Sequence, residues 1–183
     1  MSSDLPHELR TGIPSIDDQH RAIIRWARAV NTITADQTNR TVVLRAAQFL
    51  ISYARYHFDA EEYAMVASGY GAIEQHRREH SMMRRQLSEI SRSIDDGRDH
   101  SNGSLEPLQK LVQDWLRNHI STTDLAFARF CEVQPRARKV ELPSPQQLRR
   151  FGSAVDHIDQ VEAVHESGEI SIGKLKARLK IRD

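Results

Sequence analysis

Residues 57–80 read HFDAEEYAMVASGYGAIEQHRREH and bring three histidines together at helical spacing. His57 and Glu61 are four positions apart, as are His76 and His80, so each pair shares one helix face a single turn apart. Between the pairs, SGYGA (68–72) concentrates small residues and glycines, which marks a turn rather than one long helix. Beyond the turn, Ile73, His76, His80, Met83, Leu87, Ile90 and Ile94 advance by alternating steps of three and four. That rhythm is a continuous apolar stripe along a helix. His76 and His80 therefore lie on the face that a helix buries.

The same pattern extends in both directions. Ala46, Leu50, Tyr53, His57, Glu61 and Ala64 form the stripe of the preceding segment. Nearer the N-terminus, SIDD (15–18) has the form of a capping box, and His20, Ile24, Ala27 and Asn31 share a face of the helix it would start. A fourth segment, beginning after Ser104, carries Leu108, Val112, Trp115, His119 and Ala126. Turn-rich pieces, TADQTNRT (34–41) and DDGRDHSNGS (95–104), supply the remaining connections. The expected fold class is all-α: an up-down-up-down four-helix bundle with a C-terminal extension.

Each helix of that bundle turns at least one histidine inward. A buried polar group without a partner costs ~1–3 kcal/mol. Five such groups (His20, His57, His76, His80 and His119) would offset much of a domain stability of about 5–15 kcal/mol. A metal is the economical compensation, because imidazole is a ligand for iron, zinc and copper alike. Two carboxylates join the set. Glu61 shares the face of His57, and Asp124 follows His119 by five residues, an angular offset of about 140° in a regular helix. Asp124 reaches the same interior only if the helix rotates favourably there. With His76, His80 and His119 on one ion, His20 and His57 on another, and Glu61, Asp124 and a solvent-derived oxygen bridging, the first ion is six-coordinate. The second is five-coordinate and leaves a position for a small ligand.

Composition sets outer bounds. The chain has 183 residues, of which 39% are apolar and 28% charged, as in globular proteins. No apolar run is long enough to span a bilayer, and the opening MSSDLPHELR lacks a secretory core. With a single cysteine, Cys131, no internal disulfide forms, and a cytoplasmic location is expected. Residues 1–134 carry 16 basic and 18 acidic side chains, whereas residues 135–183 carry 10 and 7. Three of the six prolines fall within 135–145, so a linker is expected there. The expected organisation is a metal-binding bundle over 1–134 and a linker with an amphipathic, basic tail over 135–183. Leu148, Phe151, Val155, Ile158, Val161 and Val164 give that tail an apolar stripe. Packing on the bundle or a homo-oligomer contact ranks first for it, then a signalling partner. Nucleic acid or an anionic membrane ranks last, because the basic run from Lys174 to Arg182 is short.

Four pieces of the chain, GIPSIDDQH (12–20), YHFDAEEYAM (56–65), GYGAIEQHRREH (69–80) and WLRNHISTTD (115–124), resemble the bacterial hemerythrins. The resemblance covers roughly residues 12–131, and His20, His57, Glu61, His76, His80, His119 and Asp124 stand at the family's ligand spacings. It implies two iron ions with an oxo or hydroxo bridge, and dioxygen bound end-on at the iron of His20 and His57. Iron is an implication of the family, since spacing alone also permits manganese, cobalt or zinc. Departures leave the ligands intact. Gly71 follows Tyr70 where the family often has proline, Met82 and Met83 stand where an aromatic commonly closes the pocket, and Phe127 replaces a frequent tyrosine.

Two function classes follow. One is reversible dioxygen binding for storage, delivery or sensing, and the other is a di-iron oxidase, peroxidase or nitric oxide scavenger. Five neutral imidazoles favour ferrous iron, whereas carboxylate-rich sites favour high-valent iron, so binding is the expected class. His7 and His100 lie in polar contexts, and Glu162 with His165 is a lone Glu-x-x-His in the tail without a second copy in the bundle.

Overall fold

The turn between the two histidine pairs depends on Gly69. In the computed structural model, Gly69 has φ of 72°, a left-handed conformation that glycine adopts without steric cost. Its N–H donates to the Val66 carbonyl (3.1 Å), and the Tyr70 N–H donates to that of Met65 (3.0 Å). These two bonds satisfy the last carbonyls of the helix before it. Tyr70 then packs its ring against Phe127 and Phe130, 5.1 and 5.2 Å away between centroids.

The structure describes residues 5–35, 40–95, 106–134, 137 and 141–150. Among them all regular structure is helical: a 3₁₀ turn at His7–Leu9, then α1 (Pro14–Ala35), α2 (Arg40–Ser68), α3 (Ile73–Asp95) and α4 (Glu106–His119). A π-helical turn, Ile120–Asp124, links α4 to α5 (Leu125–Val133), and a short α6 (Pro145–Arg150) follows. No described helix is long and apolar enough to cross a membrane.

Helix α1 packs on α2 and α4, α2 on α3, and α3 on α4, so the contacts close into a ring. Along α2 and α3 the pairs Glu62–His80, Asp59–Arg84 and Arg55–Ser88 step in opposite directions, so these two helices are antiparallel. Most of the stripes read from sequence line the interior, with Ile73, Ile90 and Trp115 half-buried, while the side chains of Asn31, Ala46 and Ile94 lie outside the described residues. Along α1, α2 and α3, and from α4 on into α5, the polar donors divide two apolar clusters. Ile23, Tyr53, Met83 and Leu116 belong to the larger cluster on one side, and Ile16, Ala64 and Phe127 to the smaller one on the other.

Three details depart from the expected pattern. The α1 stripe runs through Ile16, His20, Ile23 and Ala27, with Ile24 only half-buried. Helix α2 is buried nearly all round, with Phe49, Ile51, Ala54, Tyr56 and Phe58 inside as well as the expected stripe. One cause is the chain beyond α5: Leu148 of α6 sits in the larger cluster and the Tyr56 hydroxyl donates to the Pro143 carbonyl. The tail stripe beyond Leu148, together with His100, Glu162 and His165, lies outside the described residues.

The third departure is the start of α1. The helix begins at Pro14, one residue before the expected capping box, and Asp17 caps it backwards. The Asp17 carboxylate accepts from the Thr11 N–H (2.8 Å), the Thr11 hydroxyl (2.7 Å) and the Gly12 N–H (3.2 Å). Asp18, the residue that would close the box, is 68% exposed and pairs with Arg21 instead. Asp17→Ala should therefore destabilise the protein by about 2 kcal/mol. Asp18→Ala should stay within about 0.5 kcal/mol. Urea denaturation of both variants checks this, and a larger loss for Asp18→Ala would reverse the assignment.

Candidate metal centre

Each helix of the ring delivers donors to one layer. His20 comes from α1, His57 and Glu61 from α2, His76 and His80 from α3, and His119 from the end of α4. Asp124 is brought in by the π turn. In such a turn the hydrogen bonds run from i to i+5, so residues five apart stand one above the other. The rotation that the sequence required is thus supplied by one extra residue. Two hydroxyls hold the widened turn: Ser121 Oγ and Thr122 Oγ1 both donate to the Asn118 carbonyl, at 3.1 and 2.7 Å. The same residue shifts the register that follows, so Ala126 is exposed and Phe127, Ala128 and Cys131 are buried. Burial pushes the Cys131 thiol up to about 11, and the side chain is a packed member of the smaller cluster.

All seven polar side chains are at most 2% exposed. The Nε2 atoms of His76, His80 and His119 form a nearly equilateral triangle with edges of 3.1, 3.1 and 3.2 Å. An ion that sees three such atoms at right angles lies at the edge divided by √2, roughly 2.2 Å away, against about 2.0–2.1 Å for zinc–imidazole bonds. Asp124 faces both ways. Its Oδ1 is 3.0 Å from His119 Nε2 and 3.4 Å from His76 Nε2, while its Oδ2 is 3.2 Å from His20 Nε2. Glu61 Oε2 lies 3.2, 3.5 and 3.8 Å from the Nε2 atoms of His76, His80 and His57. Two donor groups result, each within 4.8 Å: Glu61 with His76, His80 and His119, and Glu61 with His20, His57 and Asp124.

Hydrogen bonding does not satisfy the whole layer. Both His20 nitrogens, His57 Nε2, Glu61 Oε1 and both Asp124 oxygens have no hydrogen-bond partner although they are buried. The outer nitrogens of three rings are well held. His57 Nδ1 lies 2.9 Å from Gln19 Oε1, His80 Nδ1 2.9 Å from Glu62 Oε1, and His119 Nδ1 2.7 Å from Glu79 Oε2. On His57 and His80 the outer nitrogen carries the proton toward its acceptor, which leaves the inner Nε2 a lone pair. His119, held the same way by Glu79, keeps a second proton toward Asp124 while no cation is bound. Imidazole nitrogens and carboxylate oxygens converging at 3.0–3.5 Å need protons or a cation between them. The donor set therefore fits a metal site.

Gln19, Glu62 and Glu79 were not singled out from the sequence. Each is the immediate neighbour of an inward donor (His20, Glu61 or His80) and reaches the outer nitrogen of a histidine on an adjoining helix. Adjacency to a donor was the available signal. Glu62 is fixed in turn by Arg84 (2.8 Å), which also bonds Asp59 (2.6 Å), and Glu79 accepts from the Thr123 hydroxyl (2.8 Å). Phe58 stacks on His80 and Trp115 on His119, with centroids 4.3 and 4.1 Å apart. Of the two methionines expected at the pocket, Met83 is buried and Met82 is half exposed, because they point to different sides of α3.

Burial lowers the pKa of His76, and lowers those of His57 and His80 further, so all three are neutral at neutral pH. Burial also works against a proton on His119, but the Asp124 carboxylate beside it outweighs this and raises its pKa. For Asp124, burial opposes ionisation, yet His119 and His20 hold it well below the usual carboxylate range. Glu61 is pushed well above that range, first by burial and then by the charge on Asp124. The metal-free centre thus keeps protons on Glu61 and His119 at higher pH than usual, and a cation must displace them. Loading metal near neutral pH should release about one to two protons per chain, and affinity should fall as pH falls. A pH-indicator titration in weak buffer reads the release. No release would mean that other groups hold the ion.

The family description Hemerythrin HHE cation binding domain matches residues 11–131. The bacteriohemerythrin of Stenotrophomonas maltophilia is 32% identical over 123 residues, covering 66% of this chain and 76% of that protein. The bacteriohemerythrin of Methylococcus capsulatus is 29% identical over 120 residues, covering 66% and 88% respectively. That of Pseudomonas paraeruginosa is 28% identical over 120 residues, covering 66% and 75%. No solved structure matches the chain. Because the matched span runs through all four donor-bearing helices and the π turn, this chain belongs to the hemerythrin family.

Proposed function

We propose that this chain is a non-heme di-iron protein that binds dioxygen reversibly, for storage, delivery or sensing. Its ligands are His76, His80 and His119 at one iron and His20 and His57 at the other, with Glu61 and Asp124 shared. The helices run up-down-up-down, and residues 1–134 form the iron-binding bundle to which 135–183 are appended. The observation that carries the reading is the enclosure of five imidazoles and two carboxylates, all at most 2% exposed, with converging inner polar atoms. When bound, a pair of irons with one unfilled position supplies one-electron chemistry to a small ligand.

The residues themselves argue for binding over turnover. Among the described residues, two of the surface cavities, of about 300 and 340 Å³, are lined by residues such as Ile24 and Arg28 or Ile13 and Glu132, and none of the seven donors borders these two. An organic substrate has no route to buried donors through either cavity, whereas a diatomic molecule passes by small fluctuations of side chains. His57 and His80 stay neutral, which suits ferrous iron. Burial of Phe58, Met83 and Phe127 around the layer excludes the water and protons that would discharge a bound ligand.

The test is direct. Full-length protein reconstituted with ferrous iron without oxygen should hold two irons per chain. Air should then produce a charge-transfer band that reverses when oxygen is removed. His20→Ala should abolish that band and lower iron content toward one per chain, while His80→Ala should disturb the three-histidine iron first. Saturation near one iron in the native chain would end the di-iron reading. Rapid multiple turnovers with an added organic reductant, and no stable oxygenated form, would favour an oxidase or peroxidase at the same residues. Tight nitric oxide uptake without a reversible dioxygen form would favour a scavenger.

A further inference from the structure

A buried hydrogen-bond chain leaves the centre and ends beyond the family-matched span. From His57 Nδ1 it passes to Gln19 Oε1 (2.9 Å), from Gln19 Nε2 to the Tyr56 hydroxyl (2.9 Å), and from that hydroxyl to the Pro143 carbonyl (3.2 Å). The match stops at residue 131, so Pro143 belongs to the appended segment. Gln19 and Tyr56 are at most 1% exposed, so bulk water does not compete for these bonds.

The polarity of the chain is dictated from its far end. A backbone carbonyl only accepts, so the Tyr56 hydroxyl must donate to Pro143. That hydroxyl then accepts from Gln19, which turns the NH₂ of the amide toward Tyr56 and its oxygen toward His57. The amide oxygen accepts only, so His57 must carry its proton on Nδ1. Its Nε2 is then the lone pair that faces the centre, and it is among the buried atoms without a hydrogen-bond partner.

We propose that Gln19 and Tyr56 are positioning residues through which the segment around Pro143 fixes the metal-binding tautomer of His57, so that docking of this segment and metal binding at His57 are coupled. The inference rests on the reading of His57 as a ligand. The segment is built to be held in place. Leu142 N–H donates to Ser15 Oγ of α1 (3.4 Å), Pro143 and Pro145 are buried, and Leu148 enters the larger core cluster. Ser144 and Gln147 cap α6 reciprocally: Ser144 N–H donates to Gln147 Oε1 (2.7 Å) and Gln147 N–H to Ser144 Oγ (3.3 Å). A rigid cap thus presents the carbonyl just before it. Coupling between sites is reciprocal by thermodynamic necessity: whatever the segment does for His57, a cation on His57 does for the segment.

The experiment uses full-length protein with zinc, which is redox-silent. In the native chain zinc should slow amide exchange across residues 142–148 about threefold or more beyond the slowing of the bundle as a whole. Ring nitrogen shifts in the metal-free chain should report the Nδ1–H form of His57. Tyr56→Phe keeps the ring and removes the relay. It should still bind two zinc ions, the weaker about 10-fold less tightly, with a mixed tautomer and no extra zinc protection of the segment. Leu148→Asp, remote from every donor, should undock the segment and weaken the same zinc. Equal exchange in the native chain with and without zinc overturns the proposal, and so does Tyr56→Phe with unchanged tautomer and affinity. Should neither variant fold, the native exchange comparison decides alone. A native chain that binds no zinc and no iron overturns the ligand reading and the relay with it.

Discussion

The structure is organised by the cost of placing a polar layer inside a helical core. Seven side chains that water would otherwise solvate are gathered where they are at most 2% exposed, and their inner polar atoms face one another. Such a layer is tolerable only if a cation neutralises it and the outer atoms are satisfied. Apolar clusters above and below the layer fix the helices, while Gln19, Glu62 and Glu79 hold the outer nitrogens of three of the five rings. The outer acceptors are not equal. His80 and His119 lean on carboxylates, which make an imidazole a stronger donor, and His57 leans on a neutral amide. His80 and His119 are thereby the more electron-rich rings of the three.

Much of this was legible in the residues because burial writes a period into a helix. Ile73, His76, His80, Met83 and Leu87 keep that period, and His76, His80, Met83 and Leu87 are buried. The family match and the all-helical fold agree with the reading made from those stripes. What was not legible arises from contacts without a local period. The all-round burial of α2 comes in part from Pro143 and Leu148, 87 residues beyond Tyr56 in the first case. Asp17 rather than Asp18 caps α1, because a proline at the first helical position moves the start by one residue. Gln19, Glu62 and Glu79 face sideways to a neighbouring helix, a direction that a single-helix stripe does not encode.

The choice between holding a small ligand and transforming a large one is also physical. Access is set by packing: the donors are enclosed by Phe58, Trp115 and Phe127, and the two surface cavities described above lie at other places. On the proposed ligand set, reactivity follows ligand character, with five imidazoles against two carboxylates. Both considerations weigh on the same side, and both are properties of side chains rather than of the fold, which other chemistries could share.

The π turn carries a consequence for chain length. Between His119 and Asp124 the helix holds one residue more than a regular turn, yet both side chains reach the same layer. Removing a residue there would put the two donors four apart, one ordinary α-helical turn, with Phe127 and Cys131 still in line behind them. The inward faces of α4 and α5 are therefore registered separately, each to its own apolar cluster, and meet at the donor layer. An insertion or deletion of one residue elsewhere in these helices would swing a buried face to the surface. Between His119 and Asp124 a deletion would be absorbed, so this stretch can shorten by one residue without turning the core or the donor layer outward.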